Sequence, residues 1–185
     1  MCPLRPNPLC VSGLPADGQR SALRFSPEEV GAALADAGWE DVGPAALLEA
    51  HLRVLPSGPD VSVNGRLDTR VRYRCVRCLT PFEAPLEGTF HVTLRRQDGA
   101  VPGERELGEA DLESEAFLGD TVDLTAVVSE HFFVELQPHP VCRPECRGLC
   151  PRCGADRNAT ACGCPQGGGS RPFEILGDRA RARRA

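Results

Sequence analysis

The sequence contains pairs of cysteines with two residues between them, a spacing that lets two thiolates bind one metal ion. The clearest pair is Cys150-Pro151-Arg152-Cys153, followed by Gly154, which tolerates the tight turn of a zinc knuckle. A second pair, Cys75 and Cys78, follows a predicted strand and needs partners from elsewhere in the chain. This pattern predicts tetrahedral metal sites made of sulfur ligands.

Eight cysteines are enough for two four-sulfur sites. The simplest assignment gives one site Cys150, Cys153, Cys162 and Cys164, and the other Cys75, Cys78, Cys142 and Cys146. The cofactor expected is one or two structural zinc ions. Such sites leave no coordination position for water, which argues against catalysis by the metal.

Other uses of these cysteines remain open at this stage. CxxC pairs also serve thiol redox enzymes and redox sensors, and four cysteines can hold an iron-sulfur cluster. His139 or His131 could replace one cysteine as a ligand. Cys2 and Cys10 lie in a segment without periodicity and are expected to be bystanders.

The net charge, the positions of the arginines and the catalytic motifs that are missing limit the classes of function to consider. The net charge of −5 argues against coating nucleic acid by bulk charge, yet arginines gather beside the cysteines. The candidate nucleic-acid-binding residues are Arg72, Arg74, Arg77, Arg147 and Arg152. No nucleophile elbow, phosphate-binding loop or HExxH motif occurs, so we expect neither an enzyme nor a small-molecule substrate. The prolines near Met1 argue against a signal peptide, and no apolar run could span a bilayer, so a cytoplasmic protein is expected.

Local patterns predict the elements that position these residues. Ser26, Pro27 and Glu29 predict a capped helix, and Asp123 can cap a second helix that ends before Pro138. Alternating patterns predict antiparallel strands over 45–55, 61–67, 69–75 and 86–94. The expected fold is α+β, a small antiparallel sheet or partial barrel with two helices and a zinc-ordered Cys-rich C-terminal tail.

The domain boundaries follow from these patterns. The predicted segments are a loose N-terminal arm (1–25), a core domain (26–138) with an acidic loop (99–119), a Cys-rich zinc-binding segment (139–166) and a flexible Arg-rich tail (167–185). The Cys-rich segment has too few large apolar residues for its own core, so metal would have to order it.

Several segments together resemble the YceD family of large ribosomal RNA subunit accumulation proteins. The segments are Arg74 to Leu79, Asp123-Leu124, Leu136 to Pro138, Cys142 to Gly154 with Asn158, Cys162 to Cys164, and Arg171 to Leu176. The resemblance covers roughly Ala45 to Leu176.

The resemblance implies a non-enzymatic bacterial or organellar factor needed for normal accumulation of large-subunit rRNA. The expected partners are that rRNA or a pre-ribosomal particle, and a ribosomal protein or an RNA-processing enzyme. Two alternatives stay open: a thiol redox enzyme or sensor, and a scaffold that binds only proteins.

Overall fold

The computed structural model describes residues 4–97, 108 and 114–165, and its main feature is a six-stranded open sheet. The strands are β1 (Pro8–Cys10), β2 (Gln19–Phe25), β3 (Val42–Pro44), β4 (Leu48–Ser57), β5 (Asp60–Arg74), β6 (Pro81–Gln97), β7 (Ser114–Leu118) and β8 (Thr121–Asp123). The order in the sheet is β2-β4-β5-β6-β7, with β3 paired to the far end of β5, while β1 and β8 form a separate pair.

Two helices cover one face of the sheet. Helix α1 (Pro27–Asp36) begins with the predicted capping box, in which the Ser26 side chain accepts from the Glu29 N–H and the Glu29 carboxylate accepts from the Ser26 N–H. Helix α2 (Leu124–Glu135) is capped by Asp123, whose carboxylate accepts from Thr125 N–H at 3.0 Å. Both helix predictions are confirmed.

The strands alternate between a buried and an exposed face. In β4 and β5, residues such as Leu52, Val54, Val61 and Val63 are almost fully buried and pack with the apolar sides of both helices in one hydrophobic cluster. The intervening residues point to the opposite face of the sheet, which is open to solvent.

Three sequence-based expectations of the fold are wrong. The sheet is larger than predicted, and β6 pairs with β7 in parallel, because local patterns indicate a strand but neither its partner nor its direction in the sheet. The strands predicted over 61–67 and 69–75 are one continuous strand, β5.

The prediction of a loose N-terminal arm over residues 1–25 is also wrong, because β1 and β2 lie within it. Strand β2 is an edge strand whose only buried side chains are Leu23 and Phe25, so its apolar pattern is weak. Its pairing partner is β4, which lies beyond α1 in the sequence and cannot be recognised from the arm alone.

Most of the predicted acidic loop (99–119) lies outside the described residues, but its last part is wrong, because β7 occupies Ser114–Leu118. The predicted Arg-rich tail (167–185) lies outside the described residues. Among those described, neither helix is long and apolar enough to cross a lipid bilayer.

Candidate metal centres

The first cysteine pair lies on the turn that joins β5 to β6. The Cys75 N–H donates to the Thr80 carbonyl at 3.0 Å, and the Leu79 N–H donates to the Cys75 carbonyl at 2.9 Å. Leu79 adopts a left-handed conformation, with φ of 61°, to close this turn. Cys75 and Cys78 are thereby held on a rigid hairpin end.

The chain after α2 returns to this turn and brings two further thiols. The Val76 N–H donates to the Pro140 carbonyl at 3.0 Å, which places the following residues against the hairpin. The Sγ atoms of Cys75 and Cys146 are 3.8 Å apart, and those of Cys78 and Cys142 are 3.7 Å apart. All four Sγ atoms lie within 4.8 Å of one another.

These distances fit a single tetrahedral ion. Four sulfurs bound to zinc at about 2.3 Å lie about 3.8 Å from one another at the corners of a tetrahedron. An all-sulfur donor set also suits zinc or iron-sulfur chemistry and does not suit magnesium or calcium. Cys75, Cys78, Cys142 and Cys146 could therefore hold a zinc ion.

The second cysteine pair lies on a turn with the same backbone hydrogen bonds as the first turn. The Cys150 N–H donates to the Ala155 carbonyl at 2.8 Å, and the Gly154 N–H donates to the Cys150 carbonyl at 2.9 Å. Gly154, with φ of 72°, occupies the position that Leu79 occupies in the first turn. The Sγ atoms of Cys150, Cys153, Cys162 and Cys164 again lie within 4.8 Å of one another.

The two groups differ in exposure. In the first group three cysteines are buried and Cys142 is half-buried, whereas in the second only Cys150 is buried and Cys153 is exposed. The first group is thus enclosed between the sheet and the C-terminal segment, and the second lies at the surface.

Arg77 links the two groups. Its carbonyl accepts from the Leu149 N–H at 2.9 Å, and its Nη1 donates to the carbonyls of Pro144 and Cys146 at 3.3 and 3.2 Å. Gly148, with φ of 68°, passes so close that an added Cβ would lie 2.8 Å from the Arg77 carbonyl oxygen. The close approach and the left-handed backbone both require glycine here.

The first group combines thiols of opposite acidity. Burial raises the pKa of Cys75, but hydrogen bonds from the backbone N–H groups of Cys142, Cys78 and Arg77 outweigh it and lower the pKa to about 6. Burial and the neighbouring thiols raise the pKa of Cys142 to about 12. Four thiolates cannot coexist at this spacing without a cation, and zinc would replace the protons.

The second group shows the same contrast. Hydrogen bonds from the backbone N–H groups of Cys153 and Arg152 lower the pKa of Cys150 to about 6. The hydrogen bond with Cys153, together with burial, raises the pKa of Cys164 to about 12. Backbone N–H groups aimed at sulfur are the usual surroundings of a metal-bound thiolate.

Asn158 is a positioning residue to which sequence reasoning assigned no role. Its Nδ2 lies 3.5 Å from the Cys146 Sγ, and its Oδ1 accepts from the Arg147 N–H at 2.9 Å. The Asp156 carboxylate holds Asn158 by accepting from both its backbone and its side chain. The Asp-x-Asn spacing, typical of side chains that bond to nearby backbone, was the available signal.

The candidate nucleic-acid-binding arginines beside the first cysteine pair are largely engaged within the protein. Arg72 and Arg74 share the exposed face of β5, where Arg72 pairs with Glu83 at 3.6 Å and Arg74 with Asp41 at 3.0 Å. Arg77 is bound to carbonyl groups as described above. The side chains of Arg147 and Arg152 are exposed on the C-terminal segment.

The remaining candidates stay outside the sulfur groups. His139 is exposed and belongs to neither group, and His131 stacks on Phe90 with ring centroids 3.9 Å apart. The Cys10 thiol donates to Asp120 at 3.1 Å, and Cys2 lies outside the described residues.

Comparison with known proteins identifies the family. A family model described as "Large ribosomal RNA subunit accumulation protein YceD" matches residues 63–178. The uncharacterized protein Rv2926c of Mycobacterium tuberculosis is 32% identical over 113 residues, which are 61% of this chain and 53% of the relative. The uncharacterized protein ML1660 of Mycobacterium leprae is 33% identical over 110 residues, 59% of this chain and 48% of that protein.

The chain thus spans about half the length of the curated relatives it matches. No solved structure matches it significantly. The family match covers both knuckle turns and both sulfur groups, and the chain belongs to the YceD family of large ribosomal RNA subunit accumulation proteins.

Proposed function

We propose that this protein is a non-enzymatic factor in large ribosomal subunit biogenesis. It supports accumulation of large-subunit rRNA by binding RNA, a ribosomal protein or a processing enzyme in the bacterial cytoplasm. Membership of the YceD family supports the biological role. The observation that carries the molecular part is the two four-sulfur groups, of which the first joins the C-terminal segment to the sheet and the second lies within that segment.

Zinc in these groups would act structurally. Between Val141 and Pro165, the buried residues are Cys146, Gly148 and Cys150, so this segment has no apolar core of its own. Zinc binding contributes on the order of 10 kcal/mol to the order of such a segment. The first ion would fasten the segment to the β5–β6 turn, and the second would shape its exposed surface.

The candidate contact surface is the exposed side of this segment with the neighbouring β5 arginines. Arg147 and Arg152 are exposed, and the ion pairs of Arg72 and Arg74 are solvent-exposed pairs that contribute little and can open. Arg77 holds two carbonyl groups, so we assign it to structure as well as to possible RNA contact.

Depletion in the source organism tests the biological role. Loss of the protein should lower the ratio of large-subunit to small-subunit rRNA, and wild-type protein should restore the ratio. A variant with Arg147→Gln and Arg152→Gln should bind zinc normally. If it also restores the rRNA ratio and crosslinks to no RNA, the protein-only scaffold replaces the RNA-binding proposal.

A thiol redox function is the second candidate, because the lowered pKa of Cys75 and Cys150 would make reactive thiolates in the absence of metal. Cys75, however, is fully buried, which keeps a protein disulfide from reaching it. Elemental analysis decides between the two. Two zinc ions per chain, with none of the eight cysteines of the two groups reacting until the metal is chelated, support the structural role, and metal-free protein with reactive cysteine pairs supports redox chemistry.

A further inference from the structure

The solvent-exposed face of the sheet carries a row of polar side chains across four adjacent strands. Arg20 of β2 lies opposite Arg53 of β4, Arg53 lies opposite Asn64 of β5, and Asn64 lies opposite His91 of β6. All four are exposed, and His91 Nδ1 is 3.0 Å from the Asn64 Oδ1. Adjacent strands are about 4.8 Å apart, so the row extends about 14 Å.

The arginine pair in this row is not neutralised by the protein. The carboxylates farther along the same face are paired with other arginines: Glu49 with Arg24, Asp68 and Glu87 with Arg66, and Glu83 with Arg72. Within the described part of the chain, Arg20 and Arg53 form no ion pair. Like charges directly opposite each other destabilise a sheet, so a bound anion would relieve this pair.

Arg20 and Arg53 also share a hollow at the surface. The hollow, of about 250 Å³, is lined by these two arginines together with Asp17 and Gly18. Guanidinium groups bind phosphate oxygens through paired N–H donors. The adjacent Asn64 and His91 offer further polar contacts along the row.

We propose that this row, Arg20-Arg53-Asn64-His91, binds the phosphate backbone of single-stranded RNA. The proposal rests on the proposed function, which supplies RNA as the partner, and it adds a second contact, on the open sheet face, to the candidate surface around Arg147 and Arg152. A row of about 14 Å suits an extended phosphate chain better than a single phosphate group. Arg20 and Arg53 precede residues 63–178, so family membership does not supply the two cationic residues of the row.

Two double variants with equal loss of charge test the location. Zinc-loaded wild-type protein, Arg20→Gln/Arg53→Gln and the control Arg24→Gln/Arg66→Gln are titrated with fluorescein-labelled single-stranded RNA of mixed sequence over a range of salt. Arg24 and Arg66 lie on the same face but outside the row, and both form ion pairs within the protein. Loss of two phosphate contacts should lower the salt slope by about 1.4, which corresponds to about 25-fold weaker binding at roughly 0.1 M salt. The control should keep most of the wild-type slope.

Folding is monitored separately by urea denaturation. Removing two opposed positive charges should leave the free energy of unfolding unchanged or raise it, so weaker binding is not explained by unfolding. Equal losses of affinity in both double variants would mean that bulk charge governs binding, and would overturn the proposal. Preference of the wild-type protein for polyglutamate over RNA would also overturn it, in favour of an acidic protein partner.

The cellular assay separates this proposal from the proposed function. If depletion lowers large-subunit rRNA but purified protein does not bind the RNA probe, the proposed function stands and the surface assignment fails. If depletion leaves the rRNA unchanged while the Arg20/Arg53 variant selectively loses RNA binding, the surface assignment stands and the biogenesis role fails.

Discussion

Replacing Gly148 by alanine should loosen the contact between the two knuckles. Gly148 combines a left-handed backbone, with φ of 68°, and an approach that would put a Cβ 2.8 Å from the Arg77 carbonyl oxygen. That oxygen also accepts the Leu149 N–H at 2.9 Å. The substitution therefore affects both the local conformation and the connection to the first group.

The free-energy cost of Gly148→Ala is the sum of these two effects. The left-handed conformation costs a non-glycine residue about 1–2 kcal/mol. Displacement of the Arg77 carbonyl should weaken its hydrogen bond to Leu149, which costs about 1 kcal/mol more. We expect a total of about 2–3 kcal/mol, which corresponds to a roughly 30- to 150-fold larger equilibrium constant for the opening of this contact.

Gly154→Ala is the matched control. Gly154 has nearly the same φ, 72°, but an added Cβ would meet no atom within 4 Å. It should cost only the conformational part, about 1–2 kcal/mol.

Amide hydrogen exchange of Leu149 in the zinc-loaded protein measures the effect directly, because its N–H forms the bond in question. The exchange rate should rise clearly more in Gly148→Ala than in Gly154→Ala. Equal rates in the two variants, or a larger effect in the control, would refute the argument that backbone contact at Arg77 joins the knuckles.

Three further predictions concern the metal groups. A chelator should remove zinc in two phases, first from the group of Cys150 and Cys153, because Cys153 is exposed, and then from the enclosed group. The zinc content is measured over time, and loss in a single phase would contradict the argument from burial. Asn158→Ala should speed zinc loss from the enclosed group by roughly five- to tenfold, since it removes one N–H···S contact worth about 1 kcal/mol, whereas exposed Thr160→Ala should not. Zinc affinity should fall as the pH is lowered, and more steeply below about pH 6, because the pKa of Cys75 and Cys150 is lowered to about 6 and below it zinc must also displace the protons of these two thiols; competition titrations across this pH range would show a constant slope if the argument is wrong.

The sequence was sufficient where the physical signal is local. Both helix starts follow from a capping side chain within three residues of the backbone it binds, as at Ser26 and Asp123. The knuckle turn at Cys150 is also local, because two thiols and a following glycine specify it. The structure brings together the same two sets of four cysteines that the spacing suggested, although their role as zinc ligands stays a prediction.

Tertiary structure decided the features that depend on distant partners. The edge strand β2 is recognisable only through its pairing with β4, and the parallel pairing of β6 with β7 depends on a crossover. In the sequence Arg72 and Arg74 are arginines beside the first cysteine pair, but the fold supplies Glu83 and Asp41 as their partners. Arg20 and Arg53, far apart in the chain, become neighbours only across the sheet. Local sequence carries the conformational preference of a segment, whereas the charge and burial of a side chain depend on which distant residues the fold places beside it.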